Sequence, residues 1–168
     1  MGGVSVVIPV YGKELKLVKA LKSLQHQSYK DEIDTVIVWD EPKNIKYYEK
    51  FIKKIMMDSN ININVIYNPK KTNPAKARNT GLEYSTYDII FFLDSDDYFG
   101  ERKIELQAEI MKNSKIGLCY TDVLMVDETG NVLKKIIAPD EAQIRVTDKT
   151  FLTNIFVPNA WDENLKKK

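Results

Sequence analysis

The stretch YDIIFFLDSDDYF, residues 87–99, decides the fold: an apolar run fit for a protein interior (87–93) ends in three carboxylates within four positions, Asp94, Asp96 and Asp97. Such concentrated like charge raises the free energy of a folded chain unless a cation or hydrogen bonds compensate it. A strand that ends in this way therefore points to a site at its carboxyl end. Working outward, the same alternation recurs. VSVVIP (4–9) is a β-branched run closed by Pro9, TVIVW (35–39) a second, and ININVIY (61–67) a third. Each is followed by helical periodicity: Lys13 to Gln27 with Leu15, Val18, Leu21 and Leu24 on one face, Asn44 to Met57 with Tyr48, Phe51, Ile52 and Ile55, and Ala75 to Tyr84 after the loop NPKKTNP. Parallel neighbours need crossovers, and these helices are the crossovers. The expected class is α/β, a mostly parallel sheet with helices on both faces. Beyond residue 100 the spacing predicts a helix over Glu101–Asn113. A β-hairpin over 116–137 follows, turning at Glu128–Asn131 and holding Cys119 in a buried strand as a structural thiol.

Composition narrows the classes. With 168 residues, 43% hydrophobic, the chain reads as one domain over 1–168, able to bury roughly 70% of its unfolded surface. With 25 basic against 24 acidic residues, no polyanion such as nucleic acid is an expected partner. No apolar run approaches the roughly 20 residues of a spanning helix. Together with one cysteine and a start without the marks of a signal peptide, this makes a cytoplasmic location the expectation, with peripheral attachment to a membrane left open. His26, the only histidine, reads as a surface residue; without a second histidine the chain offers neither a zinc set nor a nucleophile–histidine pair.

In an open α/β sheet, ligands sit beyond the carboxyl ends of the strands. The residues there are Pro9, Val10 and Tyr11, then Asp40 and Glu41, then Asn68, then Asp94 to Asp97, with Arg78 near the start of the helix Ala75 to Tyr84. Oxygen-only donors suit Mg²⁺ or Mn²⁺ better than zinc. An EF-hand loop fits poorly: Asp94, Asp96 and Glu105 have its spacing, but Tyr98 takes a ligand's place and Gly100 comes one position late. A sugar-nucleotide nucleotidyltransferase would open on a glycine-rich loop, and VIPVYGKE has only Gly12.

The ordered motifs VSVVIPVYGKE, LKSLQHQSY, VIVWDE, AKARNTGLEYS and FFLDSDDYF resemble those of the family 2 glycosyltransferases, enzymes of the GT-A fold that use nucleotide sugars. The likeness runs from about Val4 to about Gly130. It implies that Pro9, Val10 and Tyr11 form the floor under the nucleotide base, with Glu14 toward the ribose, and that Asp40 hydrogen-bonds the base. It also implies that Arg78 lies near the base and diphosphate. Asp94, Ser95 and Asp96 would form the Asp-x-Asp motif, Asp94 addressing the ribose and the metal and Asp96 the metal, which would be Mn²⁺ or Mg²⁺. Asp97 is expected to cap the following helix. The donor implied is a nucleotide-diphospho-sugar, a UDP-sugar, and the reaction an inverting displacement onto an unknown glycan, lipid or protein acceptor.

The chain departs from the family in carrying Trp39 where a first acid is usual and Thr72, Asn73 and Pro74 in place of a glycine-bearing loop. It also lacks the late Glu-Asp motif that supplies the catalytic base. That base is unassigned, with Asp122, Asp162 and Glu163 as remaining candidates, each read first as a structural or solvated acid. On this reading residues 1–100 are the nucleotide-sugar half and 101–168 a short acceptor-side remainder, which fits either a compact enzyme or a site completed by a homodimer or another partner. The alternatives are a catalytic fragment lacking its acceptor half and a non-catalytic nucleotide-sugar-binding module.

Overall fold

The computed structural model describes residues 2–11, 16–40, 45–56, 61–112 and 116–136. Four parallel strands, β1 (Val4–Val10), β2 (Ile33–Asp40), β3 (Asn62–Asn68) and β4 (Ile90–Phe92), form one sheet in the order β3-β2-β1-β4. The helices α1 (Leu17–Gln25), α2 (Ile45–Met56) and α3 (Pro74–Glu83) connect them, α4 (Lys103–Met111) follows β4, and β5 (Val123–Val126) pairs antiparallel with β6 (Val132–Ile136) in a separate hairpin. The α/β class and the parallel sheet agree with the sequence reading.

Side-chain parity sorts the sheet into two faces. Val4, Val6, Ile8, Val10, Ile33, Ile37 and Trp39 point to one side and pack with α1, Ile52 of α2, and Ile104 and Ala108 of α4. Val7, Val36 and Val38 point to the other, against Ala77 of α3, with Ile66, Ile90 and Phe92 beside them. The chain steps outward from β1 to β2 to β3, then returns past β1 to β4, so right-handed crossovers require α3 to lie opposite α1 and α2. The strand order reverses between β1 and β4, and that gap is the switch point at which such sheets bind ligands.

Packing, more than capping, holds α1. Its N-cap, Lys16, makes no side-chain cap, whereas Leu17, Ala20, Leu21 and Leu24 are buried, and each leucine contributes about 1.5–3 kcal/mol by leaving water. The expected three-residue stripe missed Leu17 and Ala20 and included Val18, which is only half-buried; Leu15 lies outside the described residues. α3 is capped instead by Asn73, whose side chain accepts from the Lys76 amide at 2.8 Å, with Pro74 in the first turn.

Several boundaries differ from expectation for identifiable reasons. β1 runs through Pro9 to Val10 because residues of Pro9's parity bond toward β4: the Ser5 amide donates to Ile89 O (2.9 Å) and the Leu93 amide to Val7 O (3.1 Å). Pro9 has no N–H to continue that ladder, and on its other side β2 keeps pairing. β4 has three residues and not the expected run over 87–93: it ends where Pro9 breaks the ladder, and before its start the amides of Thr86 and Tyr87 donate to Ser5 Oγ at 3.1 and 3.0 Å. Residues 116–122 are not strand; the described pairing of the hairpin starts at Val123, and the preceding segment is tied to α4 by side chains, Lys103 Nζ donating to Thr121 Oγ1 (3.0 Å) and Gln107 Nε2 to Cys119 Sγ (3.4 Å). Cys119 is thus half-buried beside a helix, and the buried-strand reading of it is corrected. The hairpin turns at Asp127–Asn131, where Gly130 has φ +93° and the Asp127 carboxylate accepts from the amides of Thr129 and Asn131, both at 2.9 Å. His26 is exposed, as expected. Among the described residues no helix is long and apolar enough to cross a membrane.

α3 lies so close on the sheet that a Cβ at Gly81 would collide with Val7 Cγ1. Gly81→Ala gains about 1 kcal/mol of helix propensity but overpacks this contact by about 1–3 kcal/mol. The expected result is net destabilisation in urea denaturation; a variant more stable than the parent would show that α3 does not rest on β1.

Candidate nucleotide-sugar site

At the carboxyl edge of the sheet, on the α3 face, the strand ends enclose a cleft of about 380 Å³. Pro9, Val10 and Tyr11 after β1, Asp40 after β2, and Asp94, Ser95 and Asp96 after β4 line it, closed over by Lys71, Thr72, Pro74, Ala77 and Arg78. Parity explains the convergence. Pro9 and Tyr11 continue the face of Ser5 and Val7, Asp40 that of Val36 and Val38, and Asp94 that of Ile90 and Phe92. Trp39, where relatives of the resembled family carry an acid, has the opposite parity; it is fully buried and stacks on Tyr48 of α2 with ring centres 4.5 Å apart, away from the cleft.

The carboxylates differ in their surroundings. Asp40 is 6% exposed and already accepts three hydrogen bonds: from Asn68 Nδ2 (2.7 Å), the Thr72 amide (2.8 Å) and the Thr72 hydroxyl (2.6 Å). It fastens the β3–α3 loop across the cleft. A carboxylate has about four acceptor positions, so one remains for a ligand. Asp94 is ion-paired with Arg78, whose side chain is only 15% exposed, so α3 and the end of β4 are joined across the switch point. The Asp97 amide donates to Asp94 O at 2.9 Å, closing a turn that leaves Ser95 buried and Asp96 exposed at the cleft. Asp97 does not line the cleft, and it does not cap α4 as expected: that helix starts only at Lys103, with Arg102 at the cap position. Glu14, Asp162 and Glu163 lie outside the described residues, and Asp122 is in an ion pair with Lys135 (2.6 Å) on the hairpin.

The LKSLQHQSY motif has a visible task. Gln27 Nε2 donates to Gly100 O (2.8 Å) while Gln27 Oε1 accepts from the Ile104 amide (3.0 Å), Ser23 Oγ accepts from the Phe99 amide (3.1 Å), and the Ser28 amide donates to Glu101 O (2.9 Å). The Ser28 hydroxyl donates to Glu105 and, with Arg102, holds its carboxyl below the ordinary range. These polar contacts anchor the chain just after the acidic turn.

Sequence reasoning brought out most of the cleft but missed Lys71, whose ammonium lies 4.1 Å from the ring centre of Tyr11. It also marked Thr72 only as part of the loop that replaces a glycine-bearing one and not as the partner of Asp40. The available signal was an Asp and an Asn at matching ends of adjacent strands, Asp40 opposite Asn68.

Residues 5–158 match the profile described as Glycosyl transferase family 2. The chain belongs to this family. It is 31% identical over 133 residues to an uncharacterized glycosyltransferase of Haemophilus influenzae, covering 79% of this chain and 52% of that one. It is also 28% identical over 138 residues to the UDP-Glc:alpha-D-GlcNAc-diphosphoundecaprenol beta-1,3-glucosyltransferase WfgD of Escherichia coli, covering 82% and 52%. The chain spans about half the length of these curated relatives. Among solved structures, Staphylococcus aureus TarS 1–349 in complex with UDP is similar with a TM-score of 0.56 at 25% identity, over 66% of this chain and 32% of that one. A mannosyltransferase from Pyrobaculum calidifontis in complex with GDP-Man and Mn²⁺ shares the fold, with a TM-score of 0.54 at 20% identity over 63% of this chain and 31% of that one.

Asp40→Ala removes the shared acceptor of the β3–α3 loop. Hydrogen bonds to a charged group contribute about 1.5–3 kcal/mol, so a loss of about 2 kcal/mol in urea denaturation and faster hydrogen exchange at the Thr72 amide are expected, with Thr72→Val costing about 1 kcal/mol. Unchanged exchange at Thr72 in Asp40→Ala would refute the fastening role.

Proposed function

We propose that the chain binds a nucleotide-diphospho-sugar, a UDP-sugar, in this cleft and transfers the sugar with inversion to a glycan, lipid or protein acceptor. The observation that carries this reading is the meeting of Tyr11, Asp40, Arg78, Asp94 and Asp96 at the switch point of a family 2 fold. The likeness to TarS with bound UDP supports the choice of nucleotide. The exposed ring of Tyr11 offers a stacking surface for the base, and Asp40 keeps one acceptor position for a base N–H. The amino end of α3, at Pro74, contributes a positive dipole end to the cleft and so favours a diphosphate.

Asp94 and Asp96 fit a hard divalent cation. They offer oxygen donors only, and no group of three or more ligating side chains is present among the described residues, which matches an ion completed by water and phosphate oxygens better than an all-protein cage. Asp96 would hold it, with Asp94 shared between it and Arg78. The chemistry supplied by bound Mn²⁺ or Mg²⁺ is neutralisation of the diphosphate as the sugar departs. Arg78, steadied by Asp94, would orient the same group. No described residue of the cleft is assigned as the base that takes the acceptor's proton.

A thermal-shift panel of nucleotide sugars with and without Mn²⁺ tests the donor site. Metal-dependent stabilisation by a UDP-sugar is expected, lost on Asp96→Ala; no metal-dependent shift with any nucleotide, or an Asp96→Ala variant that responds like the parent, would contradict it. Release of UDP with simple acceptors then separates a transferase from a module that only binds.

A further inference from the structure

The two cations lining the cleft differ in what they touch. Arg78 is ion-paired with Asp94, whereas the Lys71 ammonium rests over the ring of Tyr11, 4.1 Å from its centre. Tyr11 is 48% exposed and both residues line the cleft, so the ammonium covers part of the ring that a stacking base would use. The backbone beside Lys71 is fixed, because the next residue, Thr72, is bound to Asp40 through both amide and hydroxyl. The stem of Lys71 is nevertheless long, flexible and exposed. An exposed ammonium on a tyrosine face is weakly held, and a phosphate oxygen is the stronger partner.

A base cannot stack on Tyr11 from that side without moving Lys71, and the diphosphate that follows the base supplies the charge for it to move to. The need is electrostatic as well. Asp40, Asp94 and Asp96 outnumber the cleft's two cations, and Arg78 is shared with Asp94, so an entering diphosphate gains a second cation when Lys71 turns toward it. We propose that Lys71 is a donor-capture residue, covering the Tyr11 shelf while the cleft is empty and passing to the diphosphate when a nucleotide enters. The cleft thereby selects nucleoside diphosphates over nucleosides, which must displace the ammonium without offering it a partner. This rests on reading the cleft as a nucleotide-sugar site.

The signature is a pair of effects of different sign. Lys71→Met keeps most of the stem and removes the charge. Isothermal titration of the whole chain with UDP and with uridine, in the presence of Mn²⁺ and at low and at high salt, should show UDP binding weakened on the order of tenfold, as expected for one lost charge contact. Uridine should bind as well as to the parent or better, the salt dependence of UDP binding should fall, and Lys71→Arg should restore much of the preference for UDP. Equal weakening of UDP and uridine would reveal a merely structural residue and overturn the proposal, as would UDP affinity unchanged in Lys71→Met while the parent binds UDP well. If the parent binds neither ligand, the nucleotide-site reading fails and the proposal falls with it. Thermal melting of Lys71→Met at the parent's temperature confirms that the comparison is between folded proteins.

Discussion

A proline without an N–H, placed where the next rung of a ladder should form, determines where this sheet opens. Ser5 and Val7 bond toward β4, and Pro9, the next residue of their parity, cannot donate. β4 leaves the sheet at Phe92 while β2 continues beside β1 to Val10, so β1 and β4 separate at the point where the strand order reverses. Everything in the cleft uses that gap. Tyr11 stands on one lip, Asp94 to Asp96 on the other, and α3 spans the interval because Gly81 lets it settle onto Val7.

The charges are arranged in a hierarchy. Asp40 is buried and largely spent on fastening the loop that carries Lys71 and Thr72. Asp94 is half-spent on Arg78, and Asp96 is turned outward by the bond between the Asp97 amide and Asp94 O. The apparent electrostatic defect of an apolar strand ending in acids is therefore distributed among a loop clasp, an ion pair and an exposed ligand position. Behind it, Gln27 and Ser23 hold residues 99–104 by the backbone, so the acidic turn is tethered from the α1 side of the sheet.

Much of this was legible in the residues. Nearly continuous apolar runs separated by helical spacing dictated a parallel sheet, and the positions just beyond each run are the cleft, because in parallel sheets all strands end at the same edge. What was not legible depended on contacts between segments distant in the chain. The end of β4 at Phe92 follows from a missing donor on β1. Residues 116–122 are held to α4 through the side chains of Lys103 and Gln107, contacts that no local pattern announces. Asp97 looked like a helix cap because Asp favours helix starts, but the helix begins later, and its place is taken by a turn around Asp94. Lys71 left no trace in any motif, since a lysine in a polar loop is ordinarily just solvated; only the position of Tyr11 gives it meaning.

The central claim is that the split between β1 and β4 holds a nucleoside diphosphate with a divalent cation at the Asp94–Asp96 turn. Paramagnetic broadening of backbone amide signals by Mn²⁺, recorded with and without UDP, tests it most directly. The account predicts that with UDP present the loss of signal centres on Ser95, Asp96 and Asp97 and extends to Val10, Tyr11 and Thr72, while Ser5, Asp34 and Thr86 at the opposite edge keep their intensity. Broadening that ignores UDP, or that centres on another acidic site such as the Asp127 turn, would contradict it.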